Sequence, residues 1–388
     1  MNIPEEIKKL VPEMTAWRHE LHAHPETAFE EKWTSAFIAG KLKEFSLEPH
    51  TGLAGTGVVA TLKAGSSRRS IALRADMDAL PLTEGNGFAH RSVNEGRMHG
   101  CGHDGHVAML LGAAKYLSAK KDFDGTVHFV FQPAEEGGGG ADKMVKEGLF
   151  DKFPCDAVYG MHNWPALPLG QFGVRPGPMM ASSDKFEITL SGHGCHAAMP
   201  HTGVDLVVTA AAIVQSLHTI VSRSIDPVEP AVVSVSILRA GGEAYNIIPD
   251  SVFMRGTARA FSPATQEIIE RRIREICDGV CAANGARAKV EYFRNYPPTI
   301  NDEAQTSVCA GVAAELAGKD NVVTVKQVMG AEDFSFMLRE KPGCYVFAGT
   351  GPLKDGRALH NPKFDFNDNL LPIGAAYWSA LAAQVLKG

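Results

Sequence analysis

The 388-residue sequence predicts an α/β protein whose main domain, built on a mostly parallel central sheet, is interrupted by a smaller α+β domain. Three observations carry this expectation. Toward both ends of the chain, apolar strand-like runs alternate with helical stretches, the rhythm of a parallel sheet with helical crossovers. The middle instead reads strand, helix, strand, strand, helix, strand, the order of a split βαβ sandwich. The length also exceeds what one ordinary core supports. The expected division is 1–183 for the first part of the main domain, 184–294 for the insert and 295–388 for the remainder.

Taken in order, Ile7–Lys43 reads as helical, with a break at Pro25. Gly57–Lys63 and Ser70–Ala75, rich in Val, Ile and Ala, read as strands. A glycine-rich turn at His99–Gly102 leads into a helix over His106–Leu117, followed by strand Thr126–Phe131. The run Gly137–Gly140 opens a helix reaching Glu147, and Ala157–Met161 is the next strand. In the insert, strands fall at Lys185–Ser191, Ala231–Leu238, Ser251–Ala260 and Ala288–Arg294, with helices at Asp205–Val221 and Pro263–Ala283. After Tyr296-Pro297-Pro298 the α/β rhythm resumes: helix Glu303–Ala317, strand Asn321–Val325, helix Glu332–Glu340, strand Cys344–Ala348 and helix Leu370–Leu386. No internal repeat is present.

Composition narrows the function classes. A net charge of −6, with no basic cluster beyond Ser66–Arg69, argues against a nucleic-acid partner. The charged start, broken by Pro4 and Pro12, does not read as a signal peptide. The best apolar run, Leu206–Ile220, is shorter than the roughly 20 residues of a membrane helix and carries Gln215 and His218, so no membrane partner is expected. Seven cysteines form no even framework, as expected in a reducing cytoplasm, and reduced thiols are free to act as ligands.

Five segments concentrate His, Cys, Asp and Glu: Asp76-Met77-Asp78, His99 to His106, Glu135-Glu136 before four glycines, His162-Asn163, and His360-Asn361. The first, third and fourth directly follow expected strands, and ligands of open α/β sheets bind at carboxyl strand ends. Thiolate, imidazole and carboxylate together suit Zn²⁺, and Mn²⁺ or Co²⁺ also fit. Cys101 and His103, one residue apart on a flexible loop, can reach a common ion. Adjacent carboxylates at Glu135 and Glu136 repel unless their roles are separate, one holding a cation while its neighbour takes a proton from water. Alone, a buried Cys is more often a packed residue and a Glu-Glu pair a solvated face. Jointly the segments make a purely structural account untenable. His99, His106 and His128 read as structural.

The blocks RHELHAHPE, RADMDALP, HGCGHDGH, QPAEEGGGGA, GMHNWP, GHGCHAAMPH, NIIPD, MGAEDFSF and LHNPKFDF span nearly the whole chain. In them the sequence resembles the aminoacylase and hippurate hydrolase family of amidohydrolases, related to the dinuclear zinc exopeptidases. The resemblance implies a zinc-exopeptidase-like catalytic domain with a ferredoxin-like lid or dimerisation insert. It also implies two divalent metal ions (Zn, Mn or Co) held by Cys101, His103, Glu136, His162 and His360. Glu135 becomes general base and then acid. Asp78 orients a ligand, with Asp76 a further member of that surround.

In relatives a histidine at the position of His196 helps hold the scissile carbonyl oxygen. Asn246 and an arginine, here Arg259, face the substrate carboxylate. The family shows Lys and Gly where this chain has His193 and Cys195. The implied activity is release of a carboxylic acid and an amino acid from a small N-acyl amino acid, by a homodimer or dimer-based oligomer joined through the insert. A dinuclear dipeptidase and an amidohydrolase for acylated diaminopimelate or another conjugate remain open, as does a non-catalytic metal-binding scaffold. Trp164, Phe172 and Phe334 suit either a substrate pocket or the core.

Overall fold

The computed structural model describes residues 1–351 and 358–387. The chain divides into two units, one of Met1–Gly177, Ile300–Lys326 and Asp333–Gly388, the other of Pro178–Thr299 with Gln327–Glu332. The sequence places the borders at 183/184 and 294/295. The structure draws the first of them earlier because the amide of Ser182 bonds Ala260 O and that of Ala181 bonds Val328 O, tying both to the second unit.

The larger unit carries an eight-stranded sheet in the order Pro49–Leu53, Gly57–Ala64, Gly125–Gln132, Ser70–Asp76, Ala157–Trp164, Gly343–Gly349, Phe172–Val174, Val322–Thr324. Its centre is parallel: Ser70–Asp76 lies between Gly125–Gln132 and Ala157–Trp164, and Gly343–Gly349 adds alongside the latter. All but the first residue of Ser70–Asp76 is buried, the unbroken burial of a strand covered on both faces. Strand Pro49–Leu53, antiparallel at one edge, was not expected; His50, Thr51 and Gly52 lack apolar alternation.

Helices His103–Lys120, Leu371–Val385 and Val11–Ala23 pack together, burying Met14, Leu110, Leu111, Leu117, Tyr377 and Trp378 in one cluster with Phe129 and Phe131 of the sheet. The approach is close: a Cβ on Gly374 would lie 2.0 Å from Met109 Sδ, and one on Gly112 2.3 Å from Met14 Sδ. Truncating such a buried leucine costs about 2–5 kcal/mol. At the amino end, three helices (Glu5–Lys9, Val11–Ala23, Lys32–Glu44) occupy the stretch read as helical, with Pro12 in the tolerated first turn of the second.

The second unit has a four-stranded antiparallel sheet in the order Ala231–Ala240, Ser251–Ala260, Ser183–Ser191, Arg287–Tyr296. This is the expected ferredoxin-like arrangement. Burial alternates along Ser183–Ser191, and its inward Phe186, Ile188 and Leu190 pack with Ile213 and Leu217 of helix Leu206–Leu217 and Ile269 and Ile273 of helix Pro263–Asn284. Asp205 and Ser262 cap these helices through the amides of Val207, Val208 and Thr265. No helix among the described residues is long and apolar enough to cross a membrane.

Candidate metal centre

At the carboxyl end of Ser70–Asp76 the chain turns away after the Met77 amide bonds Gln132 O, and Asp78 follows at the junction of three segments. Its backbone carbonyl accepts from His103 Nδ1 at 2.9 Å, and its Oδ2 accepts from the Glu136 amide at 2.9 Å. Because a carbonyl only accepts, His103 carries its proton on Nδ1. Nε2 faces the site, buried with no hydrogen-bond partner, and is the atom a cation would take in place of a proton. His162 repeats the device: Nδ1 donates to Asn163 O at 2.7 Å, and Nε2 lies 3.3 Å from Cys101 Sγ.

His103 opens helix His103–Lys120, three residues earlier than the sequence suggests, because Gly102 turns at φ +93. A Cβ there would sit 2.5 Å from Asn163 Oδ1, so glycine is required twice over. His360 Nε2 approaches Glu136 Oε1 at 3.2 Å, and the His360 amide donates to Gly100 O at 2.8 Å.

Ligand atoms of Cys101, His103 and His162 lie within 4.8 Å of one another, as do those of Cys101, Glu136 and His360. All five expected ligands therefore meet, in two triads that share the thiol. Glu135 joins a third such group with His103 and Glu136, and Asp76 a fourth with His103 and His106.

The electrostatics of the site call for cations. Burial, then the charges of Glu136, Glu135 and Asp76, push the Cys101 thiol well above its ordinary value. Burial opposes charge on His103, but Asp76, Asp78 and Glu136 outweigh it and raise the ring to about 10. Burial and His106 hold His162 well down, in its neutral form. Burial alone would raise Glu136; contacts with His360 and His103 instead bring it below the usual range. Asp78 Oδ1 and Glu136 Oε1 are buried, facing the rings of His103 at 3.3 Å and His360 at 3.2 Å. Thiol, imidazole and carboxylate gathered this closely are the donor set of a Zn²⁺-, Mn²⁺- or Co²⁺-type centre, and the residues fit two such ions.

Beneath the ligands lies a buried network that the sequence does not reveal. Arg74, 1% exposed, donates to Asp76 at 2.7 Å, Gln132 at 2.7 Å and Asp333 at 3.0 Å. Asp76 meets His106 Nδ1 at 2.5 Å, and His106 Nε2 meets Asn163 Oδ1 at 2.6 Å. His106, read as structural, thus lies against the centre, its ring 4.6 Å from that of His162. The available signals were spacing: His106 is i+3 from His103 on one helix face, and Arg74 is i+2 from Asp76 on one strand face. His99 is buried, pushed down to about 3 by that burial, and His128 bonds Thr61 and Pro154 O; neither joins the groups able to hold a metal.

The second unit holds the other expected residues. His196 is exposed and its Nδ1 accepts from the Ala198 amide at 3.0 Å, so Nε2 carries the proton and can donate. His196 and Asn246 share a groove of about 770 Å³ with His193, Cys195 and Ile248. Arg259 is half-buried on Ser251–Ala260 and spends Nη1 on Thr257 Oγ1 and Ala258 O at 2.9 Å; it does not line that groove.

The model of peptidase family M20/M25/M40 matches residues 72–384. The chain belongs to this family. It is 41% identical over 388 residues to a hippurate hydrolase of Campylobacter jejuni, covering 100% of both chains. It is 37% identical over 384 residues to an N-acetyl-L-cysteine deacetylase of Bacillus subtilis, covering 99% of this chain and 90% of that one. Among solved structures it superposes on a dinuclear metal binding peptidase from the M20 family of Bacillus subtilis with a TM-score of 0.86. That protein is 34% identical, and 98% of this chain and 99% of that one are covered. As a family member the protein keeps two aromatic residues for its core: Phe172 and Phe334 are fully buried, stacked on Tyr377 and tilted on Tyr345. Trp164 is only half-buried, stacked on Phe347 beside His162.

Proposed function

We propose that the protein is a metal-dependent amidohydrolase of N-acyl amino acids, with Glu135 as its general base and Cys101, His103, Glu136, His162 and His360 holding two divalent ions. The observation that carries this is the pair of triads sharing Cys101 beside the buried Glu135. Bound there, the ions supply Lewis-acid chemistry, acidifying water and favouring negative charge on a carbonyl oxygen. Glu135 takes the proton from the attacking water and returns it to the leaving nitrogen, a role typically worth 10²–10⁴-fold. Asp78 keeps His103 and the Glu136 backbone in register. His196 Nε2–H donates to the scissile carbonyl oxygen, and Asn246, in the same groove, recognises the carboxylate; Arg259 joins it only once its guanidinium leaves Thr257 and Ala258. The names of the hippurate hydrolase and the deacetylase support acyl rather than peptidyl substrates. We place the protein in the cytoplasm, consistent with its unpaired cysteines. A homodimer through the second unit is supported by edge strand Ala231–Ala240 and exposed Leu238, Val207 and Val208.

The test is release of free amine from N-acetyl and N-benzoyl amino acids and from dipeptides, with Mn²⁺, Zn²⁺ or Co²⁺ restored to chelator-treated protein. Acyl substrates should be favoured; preference for dipeptides would overturn the substrate class. Glu135→Gln should keep its metal and lose turnover by about 10²–10⁴-fold; a near-normal rate would remove the base assignment.

A further inference from the structure

We propose that Glu31 is a positioning residue for the turn that presents Glu135 and Glu136, an inference resting on the reading of Glu135 as base. Glu31 belongs to none of the groups able to hold a metal. It is nevertheless 0% exposed, and its two oxygens are separately engaged: Oε1 accepts from the Ala134 amide at 2.9 Å and Oε2 from the Thr56 hydroxyl at 2.7 Å. Burial, reinforced by the charge of Asp78, raises its carboxyl to about 7, so keeping an acid here is costly.

Ala134 is where a hold is needed. It lies immediately before Glu135 and adopts φ +55, a left-handed conformation that residues with a Cβ rarely take. Its carbonyl accepts from the Gly140 amide at 3.1 Å, and Gly138 is so close that a Cβ there would lie 2.7 Å from Ala134 Cβ. On the far side of Glu135, the Glu136 amide is bound by Asp78. The amides at both flanks of the base are therefore each anchored on a carboxylate from a different segment, Glu31 before it and Asp78 after it.

The local sequence shows how Glu31 is spared for this role. It occupies the cap position of helix Lys32–Glu44 yet makes no capping bond with its side chain. Glu26 takes that duty, accepting from the amides of Trp33 at 3.1 Å and Thr34 at 2.9 Å. The side chain of Glu31 is thereby released toward Ala134 and Thr56.

The experiment compares Glu31→Ala, Glu31→Gln and Thr56→Val as metal-loaded proteins with N-benzoylglycine. Glu31→Ala should lower kcat about 10–100-fold through misplacement of the base, with KM and metal content unchanged. Glu31→Gln retains an oxygen for the Ala134 amide and should restore kcat to within about threefold. Wild-type kcat in Glu31→Ala, equal impairment of Glu31→Gln, or a loss that follows metal content would overturn the proposal. If Glu31→Ala does not fold, Thr56→Val decides: a fall in kcat alone supports it, and an unchanged kcat overturns it. Glu135→Gln assayed in parallel separates the two readings. Full activity in that variant would remove the base assignment, whereas a loss there with wild-type kcat in Glu31→Ala would overturn the positioning role alone.

Discussion

Replacing Arg74 with methionine tests the architecture under the metal centre most severely. The side chain is 1% exposed and its guanidinium faces two carboxylates, Asp76 at 2.7 Å and Asp333 at 3.0 Å, with Gln132 on Nε. Methionine keeps the length and removes every donor. Taking away one partner of a buried ion pair typically costs about 3–5 kcal/mol because the remaining charge is stranded. Here Asp333 retains bonds from Gln132 and the Ala141 amide, and Asp76 retains His106. These hold the expected loss near the lower figure, about 3 kcal/mol. All four tryptophans (Trp17, Trp33, Trp164 and Trp378) fall in the larger unit, so tryptophan fluorescence during urea unfolding reports on that unit. Chelator-treated protein should be used, since bound metal would add its own linkage to the midpoint. A loss below about 1 kcal/mol would refute the idea that Arg74 neutralises two buried acids.

Three further outcomes are expected. His360→Ala should lose one of two metal equivalents by elemental analysis, whereas Cys101→Ala, removing the residue common to both triads, should weaken both; identical losses would sink the shared-thiol reading. Burial opposes charge on His22, but Asp104 and Glu84 outweigh it and raise the ring from 6.5 to about 9. A base raised on folding stabilises fully below its unfolded value and ceases to as pH climbs through the folded one. The stability difference between wild type and His22→Gln should thus shrink by about 3 kcal/mol between pH 6.5 and 9.5, and a constant difference would contradict it. Leu238→Asp combined with Val208→Asp should halve the mass seen by light scattering, a result that requires the wild type to be dimeric through the second unit.

The sheet was legible because its central strands, buried on both faces, appear as apolar runs, and the insert because Lys185–Ser191 alternates so cleanly. The ligand segments stood out since Cys, His and acidic residues gather at strand ends with glycines around them. What escaped was long-range or masked by a stronger local pattern. Asp333 reaches Arg74 across 259 positions, which no spacing rule spans. Glu31 hid within a stretch that looks helical, and its use appears only once Ala134 is known to be left-handed. His106 reads as structural from sequence, although its i+3 offset from His103 puts both on one helix face. The family resemblance points to Arg259, but the fold turns its guanidinium back on its own strand.

The backbone bond between the His360 amide and Gly100 O has a bearing on how the molecule matures. It joins parts of the chain that leave the ribosome far apart in time, with the whole second unit synthesised between His162 and His360. A nascent chain halted before its last segment already owns Cys101, His103 and His162 but has no His360 to complete the other triad. Of the five side chains proposed to hold the cations, His360 is the last to be synthesised, and its amide bond to Gly100 is what returns it to the loop that carries Cys101 and His103.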